Sequence, residues 1–315
     1  MKTSVFKLAG ASAVAICALA STKALATEAA FGRYTPGIFA APGVGYVPPA
    51  PGVYWQSSTM YYHGSASKDL QIPVGRSTRL GLKSNYFSQT FTGIWVPELK
   101  LDHNLTLAFS VSLPLQHLRA SVDVRRFGTS DSDGGLGDII FGPMLGWRSD
   151  SGMTFASASL RIFAPTGNYD PDAIANIGTN YWTFSPNLSF TTVNPENGLE
   201  FDVTGGIDFN TRNSATGYTS GALAHVDAAV IQNFNKQFGA GIFGSILYQI
   251  ADDKGALADR LDGFKGRSFA IGPMLKYTGG SEANPISASI SWAPEFGVRN
   301  RMKGNAFYLN VAGKF

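Results

Sequence analysis

The chain has 315 residues, 44% hydrophobic, 12% aromatic and only 15% charged, with 36 glycines and a formal net charge of +3. A soluble domain is typically about a quarter charged, yet after the N-terminus no run of about 18 apolar residues offers a spanning helix. The aromatic content excludes disorder, which leaves a glycine-rich, aromatic-rich, mostly β protein.

Residues 1–26 read as a secretory signal peptide. Lys2 and Lys7 form its positive end, 8–19 its short apolar core, and Ala24-Leu25-Ala26 a small-x-small cleavage site. The competing reading is a buried N-terminal helix. The only cysteine, Cys17, falls inside this segment behind bulky Ile16, which suits lipoprotein processing poorly. The mature chain then has no disulfide and no thiolate chemistry. Losing Lys2, Lys7 and Lys23 leaves 22 basic residues against 22 acidic ones, so no basic surface remains for nucleic acid.

Residues 27–52 are rich in Pro and Gly (Pro36-Gly37, Pro42-Gly43, Pro48-Pro49-Ala50-Pro51-Gly52) and suit neither helix nor strand. They are expected to be an extended segment, either a periplasmic lead-in or a plug inside a lumen. From 53 to 315 the hydrophobic period is two. Leu105, Leu107, Phe109, Val111, Leu113 and Leu115 alternate with Thr106, Ala108, Ser110, Ser112, Pro114 and Gln116. Trp182, Phe184, Pro186, Leu188 and Phe190 alternate likewise, as do Leu199, Phe201 and Val203 with Glu200, Asp202 and Thr204. Each such segment has one apolar and one polar face. About twelve of them, near the ten-residue length of a spanning strand, are expected at 53–63, 87–101, 105–118, 136–148, 153–165, 181–193, 199–212, 218–234, 238–251, 266–277, 285–294 and 304–315.

The connections sort by parity. Those after even-numbered segments are mostly tight turns, such as Asp102-His103-Asn104 and Asp150-Ser151-Gly152, whereas 65–86, 119–135, 166–180 and 252–265 are long. That pattern predicts an all-β, transmembrane, antiparallel up-and-down β-barrel with short periplasmic turns and long extracellular loops. Ten or fourteen strands fit as well as twelve, because 64–86 could hide another hairpin. Eight strands already just enclose a side-chain-filled interior. A wider lumen needs water, polar residues or a plug, so the apolar face is expected to meet outer-membrane lipid. The last segment ends in Phe307, Leu309, Val311, Gly313 and terminal Phe315, similar to the signal read by the bacterial barrel-assembly machinery. The expected location is the outer membrane of a Gram-negative bacterium.

Gly135-Leu136-Gly137-Asp138, Ala164-Pro165-Thr166-Gly167-Asn168-Tyr169 and Asn176-Ile177-Gly178-Thr179-Asn180-Tyr181-Trp182 occur in order. Asn210-Thr211-Arg212-Asn213, Tyr218-Thr219-Ser220-Gly221, Tyr248-Gln249 and Ala270-Ile271-Gly272-Pro273 follow. The set resembles the meta-pathway phenol-degradation family of outer-membrane proteins over nearly the whole mature chain. The resemblance implies an outer-membrane channel or transporter for passive uptake of small aromatic or hydrophobic solutes.

His63, His103, His117 and His225 show no metal-ligand spacing, and no cofactor or metal is expected. His225 and Asp227, two apart on one strand, share the face assigned to the lumen. With Ser220 or another hydroxyl they would make a hydrolytic set, but no nucleophile elbow accompanies them, so an enzyme is not expected. The candidate lumen-lining residues are Glu98, Lys100, Arg161, Glu200, Asp202, Asp208, His225, Asp227 and Lys276. Inward charges either select ions or cross-link the wall in opposite-sign pairs, and the second reading leaves a closed structural or surface-interaction barrel. Asp131-Ser132-Asp133-Gly134 is an incomplete calcium-loop pattern. The tryptophans Trp55, Trp95, Trp147, Trp182 and Trp292 suit interfacial girdles where they lie near segment ends.

Overall fold

The computed structural model describes residues 32–67, 70–74, 77–101, 103–124, 127–281 and 284–315. The expected signal peptide at 1–26 lies outside them, as do residues 27–31 of the Pro/Gly-rich segment.

The wall begins with β1 (Gly52–Ser65). A small hairpin, β2 (Ile72–Val74) and β3 (Ser77–Arg79), precedes β4 (Leu82–Val96), β5 (Leu105–Val124), β6 (Phe127–Leu136), β7 (Ile140–Arg148) and β8 (Thr154–Phe163). Then follow β9 (Thr183–Val193), β10 (Leu199–Asn210), β11 (Leu223–Asn233), β12 (Phe238–Gln249), β13 (Arg267–Gly280), β14 (Pro285–Arg299) and β15 (Lys303–Lys314). Among the described residues, twelve strands pair antiparallel in chain order and close when β1 meets β15, from Tyr54↔Lys314 to Ser65↔Lys303. The hairpin inside 64–86 exists, but β2 and β3 pair only with each other and add nothing to the wall.

The strands form because the alternation buries one face and exposes the other. Along β9 the inward Thr183, Ser185 and Asn187 are buried, while Phe184 and Leu188 point out and Leu188 is 70% exposed. Phe91, Trp95, Ile242, Leu275 and Ile290 continue this outer apolar band, the surface that lipid covers. Trp95 and Trp147 stand near the short-turn ends of their strands and Trp182 near the long-loop end, as interfacial girdles do. Trp292 is a correction: β14 runs on to Arg299, so this ring lies mid-strand, stacked on Phe307.

One expected loop proves to be mostly strand. Residues 119–135 continue β5 upward and return as β6, with Leu115↔Leu136 through Val124↔Phe127 in register, so the hairpin extends beyond the end of β7 while β4 pairs along the other edge of β5 as far as Val122. The lumen face also departs from a purely polar lining. Phe243, Leu247, Met274 and Tyr308 are buried and point inward, because they have something apolar to pack against.

Candidate functional site: an occupied lumen

Residues 32–48 run through the barrel interior as a strut with no regular secondary structure, and 49–51 are exposed where it leads into the wall. A segment of this composition has few ladder partners of its own, so its backbone groups must find side chains. Near the long-loop end, the Arg33 guanidinium binds Asp138 and donates to the Tyr181 carbonyl at 2.7 Å and to Thr183 Oγ1 at 3.1 Å. Tyr34 is fully buried; its hydroxyl donates to Asp227 Oδ1 at 2.6 Å and lies 2.6 Å from Ser245 Oγ. The Gly37 and Phe39 amides also donate to Asp227, at 3.1 and 3.3 Å. Further down, the Gly43 amide donates to Asp202 Oδ1 at 3.0 Å and the Gly45 amide to Thr191 Oγ1 at 2.9 Å. At Gly45 the strut lies so close to the wall that a Cβ would sit 2.7 Å from the Thr191 nitrogen and 2.8 Å from the Phe155 oxygen. Only glycine fits there.

The inward candidates therefore divide by partner. Glu200 pairs with Lys276, the opposite-sign cross-link expected of a reinforced wall. Asp202 and Asp227 instead accept from the strut. Asp208 faces His225, with Oδ1 3.5 Å from Nε2. The His225 ring stacks on Tyr34 at 4.4 Å, and among the described residues neither of its nitrogens has a hydrogen-bond partner and no hydroxyl is placed to form a hydrolytic relay with it. Arg161 donates to Asn187 Oδ1 at 3.0 Å and lies 3.7 Å from the centre of the Phe39 ring, a cation–π contact with the strut. Glu98 and Lys100 are corrections. β4 ends at Val96, and both side chains are exposed in the short connection that follows, away from the lumen. The alternation of polar and apolar residues runs past the point where ladder pairing stops.

Sequence reasoning missed three central groups. Asp138 stands out in the sequence only as part of a motif; in the structure it accepts from Arg33, the Gly167 amide (2.8 Å), and the Thr179 amide and hydroxyl (3.0 Å each). It ties the three leading motifs to the strut. Tyr34 carries no sequence signal, being an aromatic in a Pro/Gly-rich run. Glu295 falls just beyond the expected 285–294 segment, and it accepts from Tyr62, Ser268 and the Gly304 amide. Asp131 and Asp133 are spent on the backbone amides of Ile174 and Ile177, at 2.9 and 3.0 Å, which pins loop 164–182 to the β5–β6 hairpin. No metal-ligating group of three such side chains occurs among the described residues.

Beside the strut, on the β1, β4, β5, β7 and β8 side, a cavity of about 300 Å³ remains. Ile38, Phe39, Met60, Tyr86, Met144 and Phe163 give it apolar walls, and Thr90, Gln116 and Arg161 are among its polar groups. Two ladders of the wall are interrupted. The β7–β8 ladder skips Gly142 and Pro143, and the β9–β10 ladder skips the rungs beside Pro186, where proline has no amide to donate. An outer groove lined by Leu160, Pro186, Leu188, Gly205, Gly206 and Ile207 follows this seam. At Gly206 an inward Cβ would fall 2.2 Å from Asn187 Oδ1 and 2.9 Å from the His225 ring, so these two side chains cover the inner face of the glycine.

A closed barrel of twelve strands, apolar outside, girdled by tryptophan and long-looped at one end, is an outer-membrane β-barrel. The family model described as "Putative MetA-pathway of phenol degradation" matches residues 67–311, and the chain belongs to that family. Among solved structures it is similar to the COG4313 outer membrane channel from Pseudomonas putida F1, with 17% identity, a TM-score of 0.67, and 87% of this chain and 99% of that one covered. The transport unit of the autotransporter AIDA-I from Escherichia coli gives 10% identity and a TM-score of 0.49, covering 83% and 89%. A FadL homologue from Pseudomonas aeruginosa gives 9% and 0.43, covering 92% and 98%. No curated protein matches the sequence.

Proposed function

We propose that the protein is a passive outer-membrane channel for small aromatic or hydrophobic solutes, gated by its own N-terminal segment. The observation that carries this reading is the half-apolar cavity left beside the strut. Its volume of about 300 Å³ is at the lower end of ligand pockets, on the order of 300–1,000 Å³, and roughly twice that of a cavity known to hold benzene. A hydrated ion gains little in such a place, whereas a small ring gains apolar contact, with Gln116 and Arg161 available for a phenolic or carboxylate group. Membership of a family described by phenol degradation, and likeness in fold to an outer membrane channel, support the same direction. The seam beside Pro143 and Pro186 offers a route between cavity and bilayer that requires few hydrogen bonds to break. Residues 1–26 would serve as the export signal, and Phe315 as the terminal residue met by the assembly machinery.

The test is uptake and conductance on the same protein. Liposomes carrying the mature chain should accumulate a small labelled phenol faster than empty ones, while planar bilayers show little ionic current. Deleting residues 27–51 should raise that current. Phenol entry no faster than in empty liposomes would sink the channel reading. It would favour a closed structural barrel, which the Glu200–Lys276 pair and the fully partnered Asp227 would suit.

A further inference from the structure

On the outer face of the long-loop rim, Tyr248, Arg267 and Arg299 form one row across β12, β13 and β14, in register as Tyr248↔Arg267↔Arg299. All three are exposed. Directly beneath lies an apolar row, Ile246↔Phe269↔Phe296. The two arginines face each other because β14 carries an extra residue. From Arg267 to Phe269 is two steps on β13, whereas their partners Arg299 and Phe296 are three apart on β14, and Gly297 there has φ +60°. Without that bulge the partner of Arg267 would be Val298. Bulges re-aim side chains, and this one creates a like-charge pair at directly opposed positions, which is destabilising by itself. Among the described residues, neither guanidinium lies in an ion pair with a carboxylate, whereas neighbouring Lys265 is engaged by Asp252 at 3.1 Å. Phe141, Trp182 and Phe209 face outward elsewhere on the same rim, and its other exposed cations, Lys83, Arg119 and Lys303, stand singly on their strands, so what sets this pair apart is its direct opposition across a ladder rung.

A recess of about 750 Å³ opens between this row and the 252–265 loop, with Asp259, Asp262 and Asn300 also on its lining. Its chemistry is divided: two forked cations at the membrane edge, carboxylates and an amide above them, and aromatic and aliphatic side chains below. Paired guanidiniums match phosphate oxygens bidentately. The carboxylates would repel a bare anion, but they accept hydrogen bonds from sugar hydroxyls. The apolar row at Phe269 and Phe296 sits at acyl-chain depth. We propose that this rim is a binding site for a phosphorylated glycolipid of the outer leaflet, its phosphate between Arg267 and Arg299 and its saccharide in the recess under the 252–265 loop.

The probe is a bis-phosphorylated lipid A-type glycolipid added to the folded mature protein in nonionic detergent, with binding read by native mass spectrometry. The dephosphorylated glycolipid and inorganic phosphate form the comparison arms, and heat-modifiable gel migration reports folding. The phosphorylated glycolipid should bind, the dephosphorylated form should bind at least about tenfold more weakly, and R267Q/R299Q should lose a similar factor, because both lose the charge-assisted contacts to phosphate. R267K/R299K, which keeps the charge but not the fork, should fall between them. Lys83→Gln, at a rim lysine already paired with Asp123, should bind as wild type. Equal binding of the dephosphorylated lipid, or an equal loss in Lys83→Gln, would overturn the site. Saturation by inorganic phosphate alone would replace the lipid with a free anion. Should the glutamine variant not fold, the two lipid arms on wild type still decide.

Discussion

At Asp227 three donors from one passing segment, the Tyr34 hydroxyl and the Gly37 and Phe39 amides, converge on a single buried carboxylate. Removing the acceptor leaves the Phe39 amide unsatisfied inside the barrel, at about 1–3 kcal/mol where water cannot replace it, and reduces the Tyr34 hydroxyl and the Gly37 amide to a neutral partner, Ser245 Oγ, at 2.6 and 3.0 Å. Asp227→Ala, which takes the charged acceptor from three donors, is therefore expected to loosen the strut more than Tyr34→Phe, which removes one hydroxyl and its contacts to Asp227 and Ser245. Single-channel recordings should show more frequent open events for the first than for the second. In the loop above the membrane, Asp253 accepts from Tyr218, from the Gly221 amide at 2.7 Å and from Gln249 at 2.6 Å. Burial nevertheless raises its carboxyl above the ordinary carboxylate range. The folded loop thus binds the proton more tightly than the unfolded chain does. Its contribution to stability is full below the ordinary carboxylate pKa and is lost as pH rises through the raised one. Hydrogen exchange of residues 211–222 should quicken across that interval. Asp253→Asn should flatten the dependence; a dependence left unchanged would move it to another group.

The strut and β6 both lie outside the twelve-strand closure of the wall. At Gly45 an added Cβ would meet backbone atoms of the wall, which cannot rotate away as a side-chain end would. Gly45→Val should displace the strut locally and raise conductance, while heat-modifiable migration still reports a folded barrel. Conductance equal to wild type would show that the strut accommodates the clash without opening. Beyond the end of β7, Asp131 and Asp133 hold loop 164–182 against the β5–β6 hairpin by its own amides. The double alanine variant should expose that loop to limited proteolysis, with cleavage mapped between 164 and 182 and the rest of the chain intact. These elements are unequally legible in the sequence. The Pro/Gly run excludes a strand, but its two candidate positions can be separated only by knowing which wall residues face it. The hairpin reads as loop because its residues, Phe127–Leu136, are polar and Gly-rich and acquire strand geometry by pairing with β5 beyond the end of β7.

For the whole molecule, the inside-out arrangement sets the response to substitution. Leu188 lies midway along β9 and is 70% exposed on the outer face, so Leu188→Arg is expected to cost about 2–4 kcal/mol in bilayer refolding titrations. An effect near zero would mean that this face does not meet hydrocarbon. The barrel, a strand number near twelve and its loop parity are legible because lipid on one side and a lumen on the other impose a period of two over each spanning segment, and short turns impose order on the segments. That is a local constraint, written strand by strand. It does not say that 64–86 adds no wall strand, which only the pairing settles, nor which inward charge meets which. Glu200 and Lys276 are 76 residues apart in the chain, and Arg33 reaches Asp138 across 105. Glu98 and Lys100 share the alternation of β4 yet stand beyond its end. Such pairings depend on barrel closure, on the register fixed by the β14 bulge, and on the path of a strut whose composition marks it only as irregular. Outer-membrane architecture follows from the periodicity of the chain; the occupied lumen and the opposed arginines at its rim exist only once distant strands have been brought into register.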